Sequence, residues 1–378
     1  MRSDRLYDAP LIYCIVILVG VGFVMVTSAS IPTATKMFDN PFHFTIRHLV
    51  YLILSLFLLM VSTSLPMAFW KKANLPLLLI GVPMLLAVLI IGREVNGSTR
   101  WIGLGPINIQ VSEVAKLFFF CYLAGYLVRK RDEVQENLKG FLKPLAVFAV
   151  YAGLILLQPD LGTVVVMFVT TVGLLFLAGA RLWQFLALIV VGLVLIVALI
   201  VSSPYRKARL TGFMNPWEDP FGKSYQLVQS LMAYGRGDWF GQGLGNSVQK
   251  LQYLPEAHTD FIFAILAEEA GFIGVLAVLI VLFTLIFRAL NIGFNALKAG
   301  KEFEGYLALG ISIWFAFQSM VNVGASAGLL PTKGLTLPFV SYGGSSLLVM
   351  TVAAGILLRV DFEVKMATKQ ATTRGRKS

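Results

Sequence analysis

The chain consists of long apolar blocks separated by short polar segments. A transmembrane helix needs about 20 consecutive, mostly apolar residues, and ten blocks lie close to that length. Apolar residues within a block are contiguous rather than alternating, unlike the strands of an outer-membrane β-barrel. The predicted spans are residues 10–30, 46–64, 75–92, 111–128, 143–158, 162–180, 182–202, 261–287, 304–327 and 343–359. The pattern therefore predicts an all-α polytopic membrane protein with about ten transmembrane helices, formed by a single integral membrane domain over residues 1–378.

Two features of this arrangement bear on function. Only residues 158–160 and 179–181 interrupt the fifth to seventh blocks, so a chain of eight spans, with some of these merged, is the alternative. The seventh span is followed by one large loop of about residues 203–260, rich in proline, tryptophan and glycine. Loops of this length in a compact bundle are usually functional or disordered. Apolar pairs near 224–234 predict an amphipathic helix there, which favours a folded loop.

The amino-acid composition is typical of an integral membrane protein. Hydrophobic residues make up 57% of the 378 residues and charged residues only 13%, whereas a soluble domain carries about 25% charged residues. The mean hydropathy is +0.78. These values exclude a soluble enzyme, a disordered chain and a disulfide-stapled secreted domain. Cys14 and Cys121 both lie inside apolar blocks, where a thiol is expected to behave as a small hydrophobic group.

The net charge of +11 is interpreted as a topology signal rather than as a sign of nucleic-acid binding. Cytoplasmic loops of membrane proteins are enriched in Lys and Arg. With the N-terminus inside, the segments predicted to be cytoplasmic up to the seventh span hold ten such residues, against five elsewhere. We therefore expect both termini to be cytoplasmic, a basic cytoplasmic tail at about residues 360–378, and the large loop to be extracytoplasmic. The first block is longer than the core of a signal peptide, so it is expected to remain as a span.

Ionisable side chains near apolar blocks are candidates for function, because each costs about 2.5–3.5 kcal/mol at the bilayer centre. Glu113 and Lys116 open the fourth span at i, i+3 spacing, so they share a helix face and can pair. They form either a structural ion pair or one wall of a polar cavity, with Lys116 offered to an anionic ligand. Asp160 stands at the start of the sixth span, where an N-cap explains it.

A second group of candidates lies at the ends of the second and eighth spans. His258 and Asp260 close the large loop, and Asp260 is interpreted either as an N-cap of the eighth span or as a functional carboxylate. Glu268, eight residues on, lies roughly 12 Å deeper in a helix, beyond the separation of about 5–9.5 Å that a pair of glycosidase carboxylates needs. Glu268 and Glu269 are therefore expected to be structural. Arg47 is interpreted as an interfacial snorkelling residue or as an anion-binding residue above a cavity.

The sequence resembles a known family over nearly its whole length. The matching segments are NGSTRWI (96–102), SEVAK (112–116), QPDLGT (158–163), NPWEDPFG (215–222), GQGLGNSVQKLQYLPEAHTDFIFAILAEE (241–269) and LPTKGLTLPFVSYGGSS (330–346). Together these segments identify the chain as similar to the SEDS family (shape, elongation, division, sporulation) of bacterial membrane proteins, and more similar to its division branch than to its elongation branch.

The resemblance implies a peptidoglycan glycosyltransferase that polymerises lipid II, a disaccharide-pentapeptide on undecaprenyl diphosphate, at the outer face of the cytoplasmic membrane during septal wall synthesis. It implies a class B penicillin-binding transpeptidase of the FtsI type and other divisome membrane proteins as partners, and neither nucleic acid nor a nucleotide cofactor. The family's key acidic residue falls on Asp260, expected to be catalytic. The expected substrate-binding residues are Arg47, Glu113, Lys116, Asp160, Arg209, His258 and Ser341.

The sequence is compatible with two roles for Asp260 and with three activities. Asp260 is expected to act as a general base on the acceptor hydroxyl or to hold a divalent cation, Mg or Mn, that supplies the electrostatic stabilisation. A lipid II flippase or transporter is the alternative activity, because many spans with intramembrane charges also suit substrate passage. A non-enzymatic scaffold for the division machinery is the third.

Overall fold

The structure is a computed structural model that describes residues 6–95, 98–104, 107–332 and 334–375. Within these ranges it contains thirteen α-helices and three β-strands. The helices are α1 (Ala9–Phe38), α2 (His43–Ser64), α3 (Met67–Ile91), α4 (Val111–Arg129), α5 (Arg131–Glu136), α6 (Leu138–Leu156), α7 (Leu161–Leu177), α8 (Leu182–Val201), α9 (Pro204–Met214), α10 (Tyr225–Gly237), α11 (Ile262–Lys298), α12 (Glu302–Ser326) and α13 (Gly344–Gly375). The strands are β1 (Arg93–Val95), β2 (Ser98–Leu104) and β3 (Ile107–Gln110).

Ten long helices coincide with the ten predicted spans, which confirms the polytopic helical fold. Eight of the described helices are long and apolar enough to cross a membrane. The other two are α7, an apolar helix of 17 residues, and α13, which begins as an apolar helix and continues into charged sequence. Because α6, α7 and α8 are separate helices, the alternative that merges these blocks is wrong.

Several helices extend beyond the predicted span limits. Helix α1 continues to Phe38 instead of residue 30, α3 begins at Met67 instead of residue 75, and α11 reaches Lys298 instead of residue 287. The reason is that hydropathy reports contact with lipid, whereas intrahelical hydrogen bonds continue wherever polar side chains can be solvated. Helix α13 likewise continues to Gly375 through most of the predicted basic tail, whose last three residues, 376–378, lie outside the described residues.

A small sheet between α3 and α4 was not predicted. Its three strands are antiparallel in the order β1-β2-β3, and Trp101 of β2 pairs with Gln110 of β3. The segment 98–110 contains Thr, Trp and Ile, residues that favour strands, but it is too short to stand out against the flanking spans. Residues 96–97 of the NGSTRWI segment lie outside the described residues.

The large loop is folded onto the bundle. It contains α9, α10 and a turn-rich segment at residues 238–261. Helix α10 confirms the amphipathic helix predicted near 224–234, whereas α9 was not predicted. Glu269 of α11 anchors the loop by accepting hydrogen bonds from Lys250 Nζ, at 2.7 Å, and from Ser28 Oγ of α1. The structural role expected for Glu269 is therefore confirmed.

Five connecting segments meet at one end of the bundle, because successive spans run in opposite directions. They are residues 39–42, 157–160 and 202–261 and the described residues of the 92–110 and 327–343 segments. The opposite end carries charged side chains in ion pairs, among them Arg131 with Glu302 at 2.5 Å and Lys143 with Glu133 at 2.8 Å. Helices α4 and α12 are the most buried of the candidate spans and form the centre between the two ends.

Candidate functional site

A cavity of about 1420 Å³ opens where the five connecting segments meet. Its described lining combines five cationic with four acidic side chains, which is unusual for a bundle otherwise low in charge. The cationic side chains are Lys36, Arg47, Arg100, Arg206 and Arg209. The acidic ones are Glu113, Asp160, Glu256 and Asp260. The cationic side chains offer contacts for a ligand with clustered negative charge.

Asp260 lies in this cavity, two residues before the first residue of α11. It does not occupy the N-cap position of that helix, which is Phe261. The N-cap interpretation of Asp260 is therefore wrong. Burial raises the pKa of Asp260 to about 7; Glu256 and Asp160 act in the same direction, and Arg209 and Arg100 oppose them. A carboxylate with a pKa near 7 is suited to accept a proton at neutral pH.

Asp160 is both a helix cap and a cavity residue. Its carboxylate accepts hydrogen bonds from Thr163 N at 3.2 Å and Thr163 Oγ1 at 2.9 Å, which confirms the predicted N-cap of α7. It also accepts a hydrogen bond from Ser112 Oγ at 3.2 Å, and Arg100 Nη1 lies 4.0 Å from it. These contacts fix the carboxylate at the cavity wall.

Glu113 and Lys116 form the ion pair that their spacing indicated, with 2.9 Å between Glu113 Oε1 and Lys116 Nζ. Only Glu113 lines the cavity. Lys116 is fully buried, donates a second hydrogen bond to Gln318 Oε1 at 3.2 Å, and lies 4.4 Å from the centre of the Trp314 ring. Lys116 therefore lies behind the wall in this structure, with its charge already compensated.

The other predicted site residues divide into cavity residues and one residue outside the cavity. Arg47, Arg209 and His258 line it. His258 packs against Phe44 and Tyr342, with ring centres 4.7 and 5.5 Å away. Ser341 is absent from the described lining; it is buried, and its Oγ accepts a hydrogen bond from Leu337 N at 2.8 Å.

Arg100 and Arg206 are cavity residues that the sequence-based reasoning missed. Arg100 is on β2, and its Nε donates a hydrogen bond to Gln158 O at 3.0 Å, while Nη2 donates to Pro159 O. The hairpin thus holds the turn that presents Asp160. Arg100 stands inside one of the matching sequence segments, and this was the available signal. Arg206 is on α9, a helix that the hydropathy pattern does not reveal.

The described residues contain no group of three or more His, Cys, Asp and Glu side chains arranged to hold a metal ion. A divalent cation at Asp260 would therefore take most of its ligands from substrate or water. Magnesium is usually bound through one or two carboxylates together with substrate phosphates and water. The residues present fit a cation that arrives with a phosphate-bearing ligand.

Proteins of known sequence and structure resemble this chain over almost its full length. A probable peptidoglycan glycosyltransferase FtsW from Pseudoalteromonas translucida is 74% identical over 375 residues, which cover 99% of this chain and 94% of the relative. One from Escherichia coli O6:H1 is 56% identical over 370 residues, covering 98% and 89%.

The fold is also similar to solved structures. A chain from a structure described as the coordination of polymerization and crosslinking by a peptidoglycan synthase complex has a TM-score of 0.77 and 28% identity, and the match covers 95% of this chain and 98% of that one. The rod shape determining protein RodA from Thermus thermophilus has a TM-score of 0.70 and 28% identity, with 94% and 96% covered.

A single family model, described as a cell cycle protein, covers residues 9–366, a range that includes every cavity residue named above. The chain belongs to the FtsW/RodA/SpoVE family.

Proposed function

We propose that the protein is a peptidoglycan glycosyltransferase that polymerises lipid II during septal wall synthesis. The observation that carries the proposal is a carboxylate with a raised pKa, Asp260, in a cavity at one end of a membrane bundle that five cationic side chains also line. The names of the full-length relatives, probable peptidoglycan glycosyltransferases, support the same reaction class. Glycan polymerisation at a membrane needs an activated hydroxyl and a neutralised diphosphate, and the cavity offers a carboxylate for the first and cationic side chains for the second.

The reaction proceeds in one displacement. Asp260 accepts the proton of the acceptor sugar hydroxyl, whose oxygen attacks the anomeric carbon of the donor sugar. The bond from that carbon to the diphosphate breaks, and the lipid diphosphate leaves with the electron pair, so the anomeric centre is inverted. Arg47 and Arg209, both on the cavity wall, stabilise the charge that develops on the leaving group. A single carboxylate suffices for this chemistry.

The alternative proposal for Asp260 is that it holds a divalent cation instead of acting as the general base. Asp260 would hold it as one protein ligand, together with the diphosphate of the substrate. The cation would supply neutralisation of the diphosphate charge. Magnesium and manganese both suit oxygen ligands.

Partners and orientation are also proposed. One structural relative is described as a peptidoglycan synthase complex that coordinates polymerization and crosslinking, which supports a class B penicillin-binding transpeptidase as the partner of this chain at the division septum. The Lys and Arg pattern supports cytoplasmic termini, and the cavity lies at the end of the bundle opposite the basic segments. The cavity is therefore proposed to face the periplasm.

The test is polymerisation of lipid II by the purified chain with its transpeptidase, followed by gel separation of glycan strands. We expect Asp260→Asn to keep its thermal stability and partner binding but to lose more than about 100-fold in rate, as loss of a general base does. Asp132→Asn, an exposed residue of α5, is the matched control.

Strand formation by Asp260→Asn at the normal rate would refute the assignment of Asp260. Movement of lipid II across liposome bilayers, without new glycosidic bonds, would identify the flippase alternative instead. A protein that neither polymerises nor moves lipid II, while it still assembles its partners, would be a scaffold.

A further inference from the structure

Asn322 is a buried amide in the centre of the bundle, and it contacts the main chain of Asp260. It lies on α12 with 1% of its surface exposed. Its Nδ2 donates hydrogen bonds to two carbonyl oxygens, Asp260 O at 2.9 Å and Leu335 O at 2.6 Å. Both amide hydrogens are therefore used, one for each of two connecting segments.

These two segments form adjoining walls of the cavity. Asp260 ends the large loop, and Leu335 belongs to the 327–343 segment, which contains no helix or strand among its described residues. The second segment approaches the carboxylate closely, since a Cβ atom on Gly334 would lie 3.2 Å from Asp260 Oδ2. Because Asn322 bonds the main chain of both Asp260 and Leu335, it fixes the position of the Asp260 carboxylate relative to the segment that contains Leu335.

A second amide of α12, Gln318, bonds Thr336, the residue that follows Leu335. Gln318, one turn before Asn322, donates hydrogen bonds from Nε2 to Thr336 O at 2.9 Å and to Thr336 Oγ1 at 3.2 Å. Its Oε1 accepts hydrogen bonds from Lys116 Nζ and Trp314 Nε1. Helix α12 thus presents two amide side chains, one turn apart, to the cavity wall. Of these two, Asn322 is the one that bonds the main chain of Asp260.

We propose that Asn322 is a positioning residue for Asp260, an inference that rests on the proposed glycosyltransferase activity. Its amide sets the geometry of the carboxylate through the main chain of Asp260, and Asn322 is buried and absent from the described lining of the cavity. Two donor hydrogens on one short side chain are needed to join two carbonyl groups, and neither Asp, Leu nor Ser provides them. A displacement of about 1 Å at a reacting group can cost on the order of 100-fold in rate.

The test compares Asn322→Leu with the unaltered full chain, both purified with the transpeptidase, in lipid II polymerisation assays. We expect kcat to fall about 10–100-fold while KM for lipid II changes less than about threefold, since no substrate contact is lost. Asn322→Ser, with one hydroxyl donor, should fall between the two and decides the matter if Asn322→Leu does not fold. Ser319→Ala is the control, because that buried hydroxyl on the same helix has no hydrogen-bond partner among the described residues.

The outcomes separate this inference from the proposed function. Failure of the unaltered chain to polymerise lipid II overturns the proposed function. If that chain is active and Asp260→Asn is inactive, but the folded Asn322 variant turns over at the normal rate, only the positioning role is overturned. Equal losses in kcat, in substrate affinity and in thermal stability would also overturn it, because they indicate a general packing defect.

Discussion

At the scale of single residues, the pKa of Asp260 is set by burial and by neighbouring charges of both signs. Burial raises its pKa most, Glu256 raises it further, and Arg209 and Arg100 lower it, with a resulting pKa of about 7. A general base works in its deprotonated form, so the rate is expected to fall as the pH falls through this pKa. Neighbouring charges should therefore tune the pH at which the enzyme loses activity.

Glu256→Gln is expected to shift the acidic limb of the pH–rate profile to lower pH. Removal of the neighbouring negative charge makes the Asp260 carboxylate easier to form, which lowers its pKa. The measurement is the rate of lipid II polymerisation from about pH 5 to 9. Glu218→Gln, an exposed residue of the same loop, provides the control. An acidic limb that stays in place, or moves to higher pH, would contradict this account of Asp260.

The sequence could predict part of the site at this scale. The i, i+3 spacing was sufficient to predict the pairing of Glu113 with Lys116, because both lie on one helix. It could not show which of the two reaches the cavity, since that depends on Gln318 and Trp314 of α12, about 200 residues away in the chain. Asp260 was found through a family motif, and no local pattern would have distinguished it from a helix cap.

At the scale of elements, helix α11 is interrupted at Gly271. This residue has φ 66° and ψ −169°, a conformation almost restricted to glycine. The 238–243 segment of the large loop inserts at the interruption: Gln242 N donates to Glu268 O at 2.9 Å, and Phe272 N donates to Asp238 O at 2.9 Å. Irregular backbone in a membrane helix requires such internal partners. The interruption thus joins the loop that carries Asp260 to the helix that follows it.

Gly271→Ala is expected to destabilise the protein and to release the loop from α11. The backbone conformation alone costs a non-glycine residue about 1–3 kcal/mol, and a Cβ atom would lie 2.3 Å from Gly241 N. The measurement is thermal unfolding in detergent together with protease sensitivity of the 238–261 segment. Gly20→Ala is the matched control, because a Cβ atom there has nothing within 4 Å. Equal stability of both variants would show that the conformation of Gly271 does not hold the 238–243 segment against α11.

The elements differ in how well the sequence predicts them. Spans such as α1 and α8 contain about 20 consecutive, mostly apolar residues, so their existence follows from composition. The β1–β3 sheet and α9 lie in segments of mixed polarity, where short elements are stabilised by packing on other parts of the chain. Arg100 shows this dependence, because the bonds that orient it are to the main chain of residues 158 and 159.

At the scale of the whole molecule, the up-and-down arrangement separates two chemically different ends. The cavity and its five connecting segments occupy one end, and ion pairs of Arg131, Lys143 and Lys301 occupy the other. Enrichment of Lys and Arg marks the cytoplasmic side. The asymmetry therefore predicts that the cavity end faces the periplasm.

Cysteine labelling tests this orientation. Both native cysteines are buried, so new ones can be introduced at exposed sites in a background with Cys14→Ser and Cys121→Ser. In intact spheroplasts, we expect a membrane-impermeant maleimide to label Lys223→Cys in the large loop but to label Lys72→Cys only after lysis. Labelling of Lys72→Cys without lysis would indicate the opposite topology.

The pairing of Glu113 and Lys116 within one helix also has a consequence for biogenesis. Helix α4 is made long before α12, whose Gln318 and Trp314 surround Lys116 in the finished bundle. We therefore expect α4 to enter the bilayer with its own carboxylate as the counter-ion for the lysine. Neutralisation within the helix reduces the cost of inserting either charge alone. The ion pair thus makes α4 competent for insertion before its later partners exist.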